Sequence, residues 1–394
     1  MMIALPETQS YIACLECSEC KKEYLLDELN TYATCCNKPL VAKYEFSSHF
    51  HKEDLIFREH TLWRYFEVLP VLKRENIVSL GEGMTPLVNL SKLANKYGFT
   101  DLLMKDESVN PTGSFKARGL SMAVSKAKEL GIENCIIPTA GNAGGALAAY
   151  CAKAGMKSTV VMPRLTPEIF KRECEMYGAN LILEDGLIND CARKVAKLKT
   201  AGNYFDMSTF KEPYRLEGKK TMGYEIAEQL NWELPDVIIY PTGGGTGLVG
   251  IWKAFHEMLE LGWINGPLPK MIAVQSLNCA PVVRAFYNPE HWADEFEPMP
   301  SIANGLAVPY PFAMDMIQET IESSNGFALT ITEEEIKAAV KEIAREEGIL
   351  ISPEGAAAWK AILQLRKQKF IDHNDRIVLL NTGSGYKYLE NIDI

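Results

Sequence analysis

The stretch Asn110-Pro111-Thr112-Gly113-Ser114-Phe115-Lys116-Ala117-Arg118-Gly119 decides how the rest of the chain is read. Pro111 and Gly113 mark a tight turn that stops one element, and Ser114 is a good N-cap for the next. Residues 115–130 then predict a helix, with Leu120, Val124 and Ala127 along one face. Lys116 falls in its first turn, where the macrodipole is positive and disfavours a cation. Such a lysine should lose its proton more readily, and a neutral amine is what a Schiff-base lysine needs. A lone lysine at this position is more often a surface residue whose stem lies on the helix, so the other loops must decide.

Downstream, strands are expected at 134–138, 158–162, 180–183, 236–240, 270–275 and 376–380. Helices are expected at 143–153, 167–177, 189–199, 221–230, 248–261, 333–347 and 355–368. Apolar strands alternating with helices of about 10–15 residues indicate βαβ units and a mostly parallel sheet. The stretch 206–219 reads as irregular and polar, and repeated prolines leave 278–330 without an assignment. Upstream, 46–80 reads as connecting helix, 81–87 as a turn, 90–97 as an amphipathic helix and 101–105 as a short strand.

Open α/β sheets place ligands beyond the carboxyl ends of their strands, and four loops lie there. Gly243-Gly244-Gly245-Thr246-Gly247 opens the helix at 248 and exposes successive backbone N–H groups, an anion cradle suited to phosphate. Thr382-Gly383-Ser384-Gly385 offers hydroxyls and no carboxylate, though it also reads as a plain glycine turn. Thr139-Ala140-Gly141-Asn142 could orient a planar ligand through its amide, or serve only as a turn and N-cap. Arg215 could clamp a carboxylate or phosphate; alone, it is more often a solvated or structural charge. The loop also contains a GxGxxG over 245–250, but the next strand ends in Gln275-Ser276 without the acidic residue a dinucleotide ribose needs. A nucleophilic lysine, a separate phosphate cradle and hydroxyls able to face a ring nitrogen together suggest pyridoxal phosphate.

At 394 residues the chain should hold two or three domains. Its 47% hydrophobic and 23% charged content is ordinary for a globular protein, and a net charge of −10 argues against a general nucleic-acid partner. Residues 1–11 lack the basic start of a secretory leader, and no apolar run is long enough to span a membrane. The ten cysteines are therefore read as reduced thiols in the cytoplasm. Residues 1–45 look separate, a small cysteine-rich ribbon. Cys17 and Cys20 form one knuckle of a zinc ribbon, but Cys35-Cys36 does not form the second. Adjacent cysteines on an extended strand point to opposite sides, so the expectation is a hairpin without metal, with Cys17, Cys20, Cys35 and Cys36 as the only weak candidates.

Several segments resemble one family. Gly81-Glu82-Gly83-Met84-Thr85-Pro86-Leu87 is similar to its GEGxTPL entry motif, 110–119 to its NPTGSFKDRG lysine motif, 214–221 to its YRLEGxKT segment and 382–385 to its TGHG motif. On these the chain resembles the threonine synthase family, among the fold-type-II pyridoxal-phosphate enzymes that include threonine and serine dehydratases. The resemblance runs from about residue 81 to the end. It implies two doubly wound, mostly parallel α/β domains of the tryptophan-synthase-β-like type: a large one of 46–125 plus 206–394 and a small one of 126–205. It implies Lys116 as the cofactor-linked residue, Asn142 at the ring hydroxyl, Gly243 to Gly247 at the cofactor phosphate and Thr382 at the pyridine nitrogen. Thr139 and Arg215 would meet the substrate. The implied reaction converts O-phospho-L-homoserine and water to L-threonine and phosphate; an ammonia-lyase acting on threonine or serine, or a related β-replacement enzyme, is the alternative. The implied partner is a small amino-acid substrate, with a homodimer left open. The sequence departs from the family where Ala117, Ala143-Gly144-Gly145 and Ser384 stand.

Overall fold

The structure, a computed structural model, describes residues 9–46 and 50–392. The leader reading of residues 1–11 lies mostly outside them. The chain opens with a three-stranded antiparallel ribbon of β1 (Ile12–Cys17), β2 (Glu23–Tyr24) and β3 (Leu40–Tyr44) in the order β2-β1-β3. Residues 52–76 then correct the expected connecting helix. They form only 3-10 turns at Lys52–Phe57, Leu62–Val68 and Arg74–Asn76. The turn at Leu62–Val68 is buried on every side, Arg64 and Glu67 included, so it has no solvent face to keep in helical register. Arg64 reaches Leu55 O at 2.6 Å and Glu228 at 2.7 Å, tertiary bonds that set the local path.

Next come β4 (Leu87–Asn89), α1 (Ser91–Tyr97), β5 (Asp101–Asp106) and α2 (Lys116–Glu129). The strands β6 (Asn134–Pro138), β7 (Lys157–Pro163), β8 (Asn180–Glu184) and β9 (Phe205–Asp206) are separated by α3 (Asn142–Ala154), α4 (Glu168–Met176) and α5 (Ile188–Ala201). They form a parallel sheet in the order β8-β7-β6-β9. The chain continues through α6 (Tyr214–Gln229), β10 (Val237–Pro241), α7 (Thr246–Glu260) and β11 (Lys270–Ser276). It closes with α8 (Pro281–Tyr287), α9 (Met314–Ser323), β12 (Phe327–Ile331), α10 (Glu333–Glu347), α11 (Pro353–Lys367) and β13 (Arg376–Asn381). The second sheet runs β12-β11-β10-β13-β5-β4, parallel except for β4. Its central strands β10 and β13 are buried along nearly their whole length, as expected of a parallel sheet with both faces covered. Among the described residues no helix is long and apolar enough to cross a membrane.

This topology positions the site. The last strand, β13, inserts between β10 and β5, so the order reverses at that point. The loops leaving β10, β13 and β5 are thereby neighbours at one switch point, although they come from residues 241–247, 382–385 and 107–115.

Two local expectations are corrected. Helix α6 begins at Tyr214, not near 221. The Glu212 carboxylate caps its start by accepting from the Tyr214 and Arg215 N–H groups at 2.8 and 3.0 Å, and almost every α6 side chain is buried despite its charge. Polarity was therefore a misleading guide to irregular structure there. Ser114 is not the cap of α2: it lies in extended conformation, bridged to Gly383, while the Phe115 N–H bonds Thr382 O at 3.1 Å. The start of α2 is thus pinned by the loop after β13.

Candidate active site

Lys116 stands on a rigid base. Two residues on, Arg118 is fully buried and donates from Nε and Nη2 to Glu107 (2.6 and 2.8 Å) and from Nη1 and Nη2 to Glu225 (2.5 and 2.7 Å). Lys105 adds a third contact to Glu225 at 2.7 Å. Burial by itself would raise the Glu225 carboxyl, yet Arg118 and Lys105 hold it down at about 2. The entry motif joins the same network, with Thr85 donating to Glu107 at 2.6 Å and the Gly83 N–H to Asn110 Oδ1 at 3.1 Å. The two motifs that looked separate in sequence form one scaffold. Thr112 and Gly113 turn the chain through left-handed conformations, at φ +59° and +62°, just before α2.

One cleft collects every residue nominated from the sequence for the cofactor and substrate: Lys116, Thr139, Asn142, Arg215, Gly243 to Gly247 and Thr382. The glycine loop is packed from behind. A Cβ at Gly243 would strike the Gly305 carbonyl, one at Gly247 the Tyr240 hydroxyl, and Gly245 has φ +78°. The loop ends at the N-terminus of α7, so its N–H groups and the helix dipole both favour an anion. Gln275, where a dinucleotide fold would need an acid, instead donates to Thr242 O at 3.0 Å and braces the loop.

The cations in the cleft lack matching anions. Lys116 has no hydrogen bond or ion pair among the described residues; its Nζ sits 4.4 Å from the centre of the Phe115 ring. Burial first, then Arg215, lowers its pKa to about 7, against an opposing pull from Glu354. The direction agrees with the helix-start argument, but burial and Arg215 are the causes. Arg215 is buried, with Nη1 donating to Met207 O at 2.5 Å, while its Nε and Nη2 make no hydrogen bond. Glu212, 3.9 Å away, is raised by burial to about 8, only partly offset by Arg215. Its Oε1 is too far from Arg215 Nε for a hydrogen bond, so the two form only a loose pair. Lys219 is one turn along α6 and donates to Thr246 in the glycine loop at 2.6 Å. Burial, then Lys116 and Arg215, push its pKa well down.

From the other sheet, α3 brings Asn142. Its amide donates to Tyr388 at 3.1 Å and accepts from Lys387 at 3.1 Å, and Tyr388 donates on to Glu354 at 3.0 Å. Lys387 also pairs with Glu173 on α4 at 2.8 Å. Thr139 accepts from the Gly141 N–H at 3.2 Å. Gly144 and Gly145 serve packing: a Cβ at Gly145 would collide with Glu173.

Sequence reasoning missed Lys219, Glu354, Tyr388 and Glu212. Lys219 was findable, since Arg215 and Lys219 are four apart and a helix there places two cations on one face, an arrangement that costs stability without an anion. Glu354 gave no signal beyond a Ser-Pro-Glu helix start. The glycine cradle, the unpartnered guanidinium nitrogens and the near-neutral amine together fit a phosphate-bearing aldehyde such as pyridoxal phosphate.

Residues 78–383 match the family described as pyridoxal-phosphate dependent enzyme. The chain is 36% identical over 375 residues to the threonine synthase of Methanocaldococcus jannaschii, covering 94% of this chain and 92% of that one. It is 35% identical over 371 residues to the threonine synthase of Methanosarcina acetivorans, covering 94% and 91%. Among solved structures, it matches threonine deaminase isoform 2 of Solanum lycopersicum with a TM-score of 0.67 at 21% identity, over 90% of this chain and 96% of that one. A hydrogen sulfide-producing enzyme of Fusobacterium nucleatum matches with a TM-score of 0.63 at 25% identity, over 80% and 98%.

Proposed function

The chain belongs to the pyridoxal-phosphate-dependent enzymes and, among them, to the threonine synthases; from that premise we propose how its cleft converts O-phospho-L-homoserine and water to L-threonine and phosphate. The observation that carries this reading is that one cleft provides for two anions. The glycine loop with Lys219 suits one phosphate, and the buried, half-partnered Arg215 suits another. A phosphorylated cofactor and a phosphorylated substrate account for both, whereas an ammonia-lyase would leave Arg215 without a role.

When bound, the cofactor supplies an electron sink for bonds made and broken at the substrate carbons. Gly243 to Gly247 would hold its phosphate, Thr382 its ring nitrogen and Asn142 its ring hydroxyl. Lys116, whose amine burial and Arg215 hold near neutrality in the ligand-free cleft, would carry the cofactor and, once freed, would take and return protons at the α and β carbons. Arg215 holds the phosphate that leaves the γ carbon, and water adds at the β carbon. Thr139 and the backbone at the start of α3 receive the substrate carboxylate. Release of phosphate and threonine in equal amounts from O-phospho-L-homoserine is the direct test. No release from a cofactor-loaded protein would overturn the reading in favour of an ammonia-lyase.

The division into a head (1–45), a large domain (46–125 plus 206–394) and a small domain (126–205) belongs to the same proposal and is supported by three separate sheets. A cytoplasmic location, in keeping with ten free cysteines, and a homodimer complete it.

A further inference from the structure

The head was expected to be a hairpin without metal because Cys35 and Cys36 should diverge on a strand. They do not lie on a strand. Both sit in a turn closed by the Ala33 N–H to Lys38 O bond at 2.8 Å, with Asn37 left-handed at φ +53°. Cys17 and Cys20 sit in a matching turn, closed by the Cys17 N–H to Lys22 O bond at 2.9 Å, with Lys21 at φ +60°. The Ser18 N–H to Pro39 O bond at 3.0 Å ties the two turns together. As a result all four Sγ atoms lie within 4.8 Å of one another, and Cys20 and Cys35 are 3.4 Å apart. None is in a disulfide. A tetrahedral zinc site with Zn–S bonds of about 2.3 Å places its sulfurs ~3.8 Å apart, close to this spacing.

We propose that Cys17, Cys20, Cys35 and Cys36 bind one zinc ion as a structural tetrathiolate site. Binding takes a proton from each thiol and releases it to solvent, leaving four thiolates on one divalent ion. The Tyr24 hydroxyl, 3.3 Å from Cys35 Sγ, donates to one ligand from outside the site. The need is physical. The head has a two-residue edge strand, and its buried residues Leu15, Ala33, Leu40 and Ala42 join the core of the body instead of forming one of their own, so a metal would fix the two cysteine turns that lie beyond that core. The head also has work to do, because Tyr44 on β3 donates to Glu217 on α6 at 2.8 Å, in the helix that carries Arg215 and Lys219.

The inference is independent of the reaction, and its test does not use turnover. The full-length protein, purified reduced and without chelators, should contain one zinc per chain by elemental analysis. Cys20→Ser and Cys36→Ser should lose that equivalent while keeping the visible absorbance of the bound cofactor. Should those variants fail to fold, the wild-type chain grown in cobalt still decides: tetrathiolate cobalt has intense visible absorption of tetrahedral type. Free-thiol titration should find the four cysteines protected until the metal is removed. Wild-type protein with no metal and four reactive thiols, with disulfides among these cysteines, or with stoichiometric iron in place of zinc would overturn the assignment.

Discussion

Two buried groups of charges lie on either side of α2, and they are built on opposite rules. Beneath the helix, Arg118 and Lys105 face Glu107 and Glu225, so two cations meet two anions through short bonds. In the cleft, Lys116, Arg215 and Lys219 have no close ion pair: burial shifts the Glu212 and Glu354 carboxyls toward the neutral form, and Asp206, which also acts on Arg215, is paired with Lys199. The first group is complete and serves as a foundation. The second holds a buried guanidinium with two unbonded nitrogens and two lysines pushed toward their neutral forms, an arrangement that an added anion would stabilise. The difference separates residues that hold the fold from residues that wait for a ligand.

The strongest test of this contrast is Lys116→Ala. It should remove the visible absorbance of the lysine-linked cofactor and lower turnover by about three orders of magnitude or more; a normal spectrum would remove Lys116 from its role. Arg118→Met attacks the complete group by leaving Glu107 buried without its cation and Glu225 with Lys105 alone. It should cost about 3–5 kcal/mol in chemical denaturation. A loss below about 1 kcal/mol would mean that the network is not a foundation.

Arg215→Met attacks the incomplete group and should behave in the opposite way. The unfolding free energy should stay within about 1 kcal/mol or rise, because an under-neutralised buried cation is removed. Yet kcat/KM for the phosphorylated substrate should fall about 100-fold, or ~2.7 kcal/mol. Equal losses of stability in both arginine variants would erase the contrast.

Cofactor loading should sharpen it through pH. Only neutral Lys116 attacks the aldehyde, so the loading rate of the ligand-free protein should rise about tenfold per pH unit and level off above about 7. In Arg215→Met the inflection should move upward, since Arg215 is second only to burial in lowering Lys116. A rate still climbing toward pH 10 in the wild type would show that the amine is not depressed. The smallest effect should come from Asn142→Ala, which loses its bonds to Tyr388 and Lys387. Cofactor affinity in equilibrium dialysis should weaken by about 1 kcal/mol, or about fivefold.

Much of the site was legible because its chemistry is local. A glycine run between a strand and a helix has one main physical use, and a lysine after a Pro/Gly turn is placed by its own neighbours. The order of strands and helices from 134 to 201 was legible for the same reason, since each apolar run carries its own period. Residues 214–219 were not, because their charges are paired or held across the structure and so look like solvent-exposed irregular chain. Cys35-Cys36 was misjudged in the same way: the strand geometry assumed for it is replaced by a turn that β1 and β3 bring against the first knuckle.

The sequence by itself determined the alternation of elements and nominated the candidate cofactor loops and Lys116 as the candidate amine, because each of these motifs depends on residues within a few positions of one another. Only the tertiary structure decided that β13 inserts between β10 and β5, bringing Thr382 beside a lysine 266 positions earlier. It alone decided that every nitrogen of the Arg118 guanidinium is hydrogen-bonded while two of Arg215 are not, and that four head cysteines meet. Burial and charge pairing are properties of the surroundings, and those surroundings exist only once distant segments have packed together.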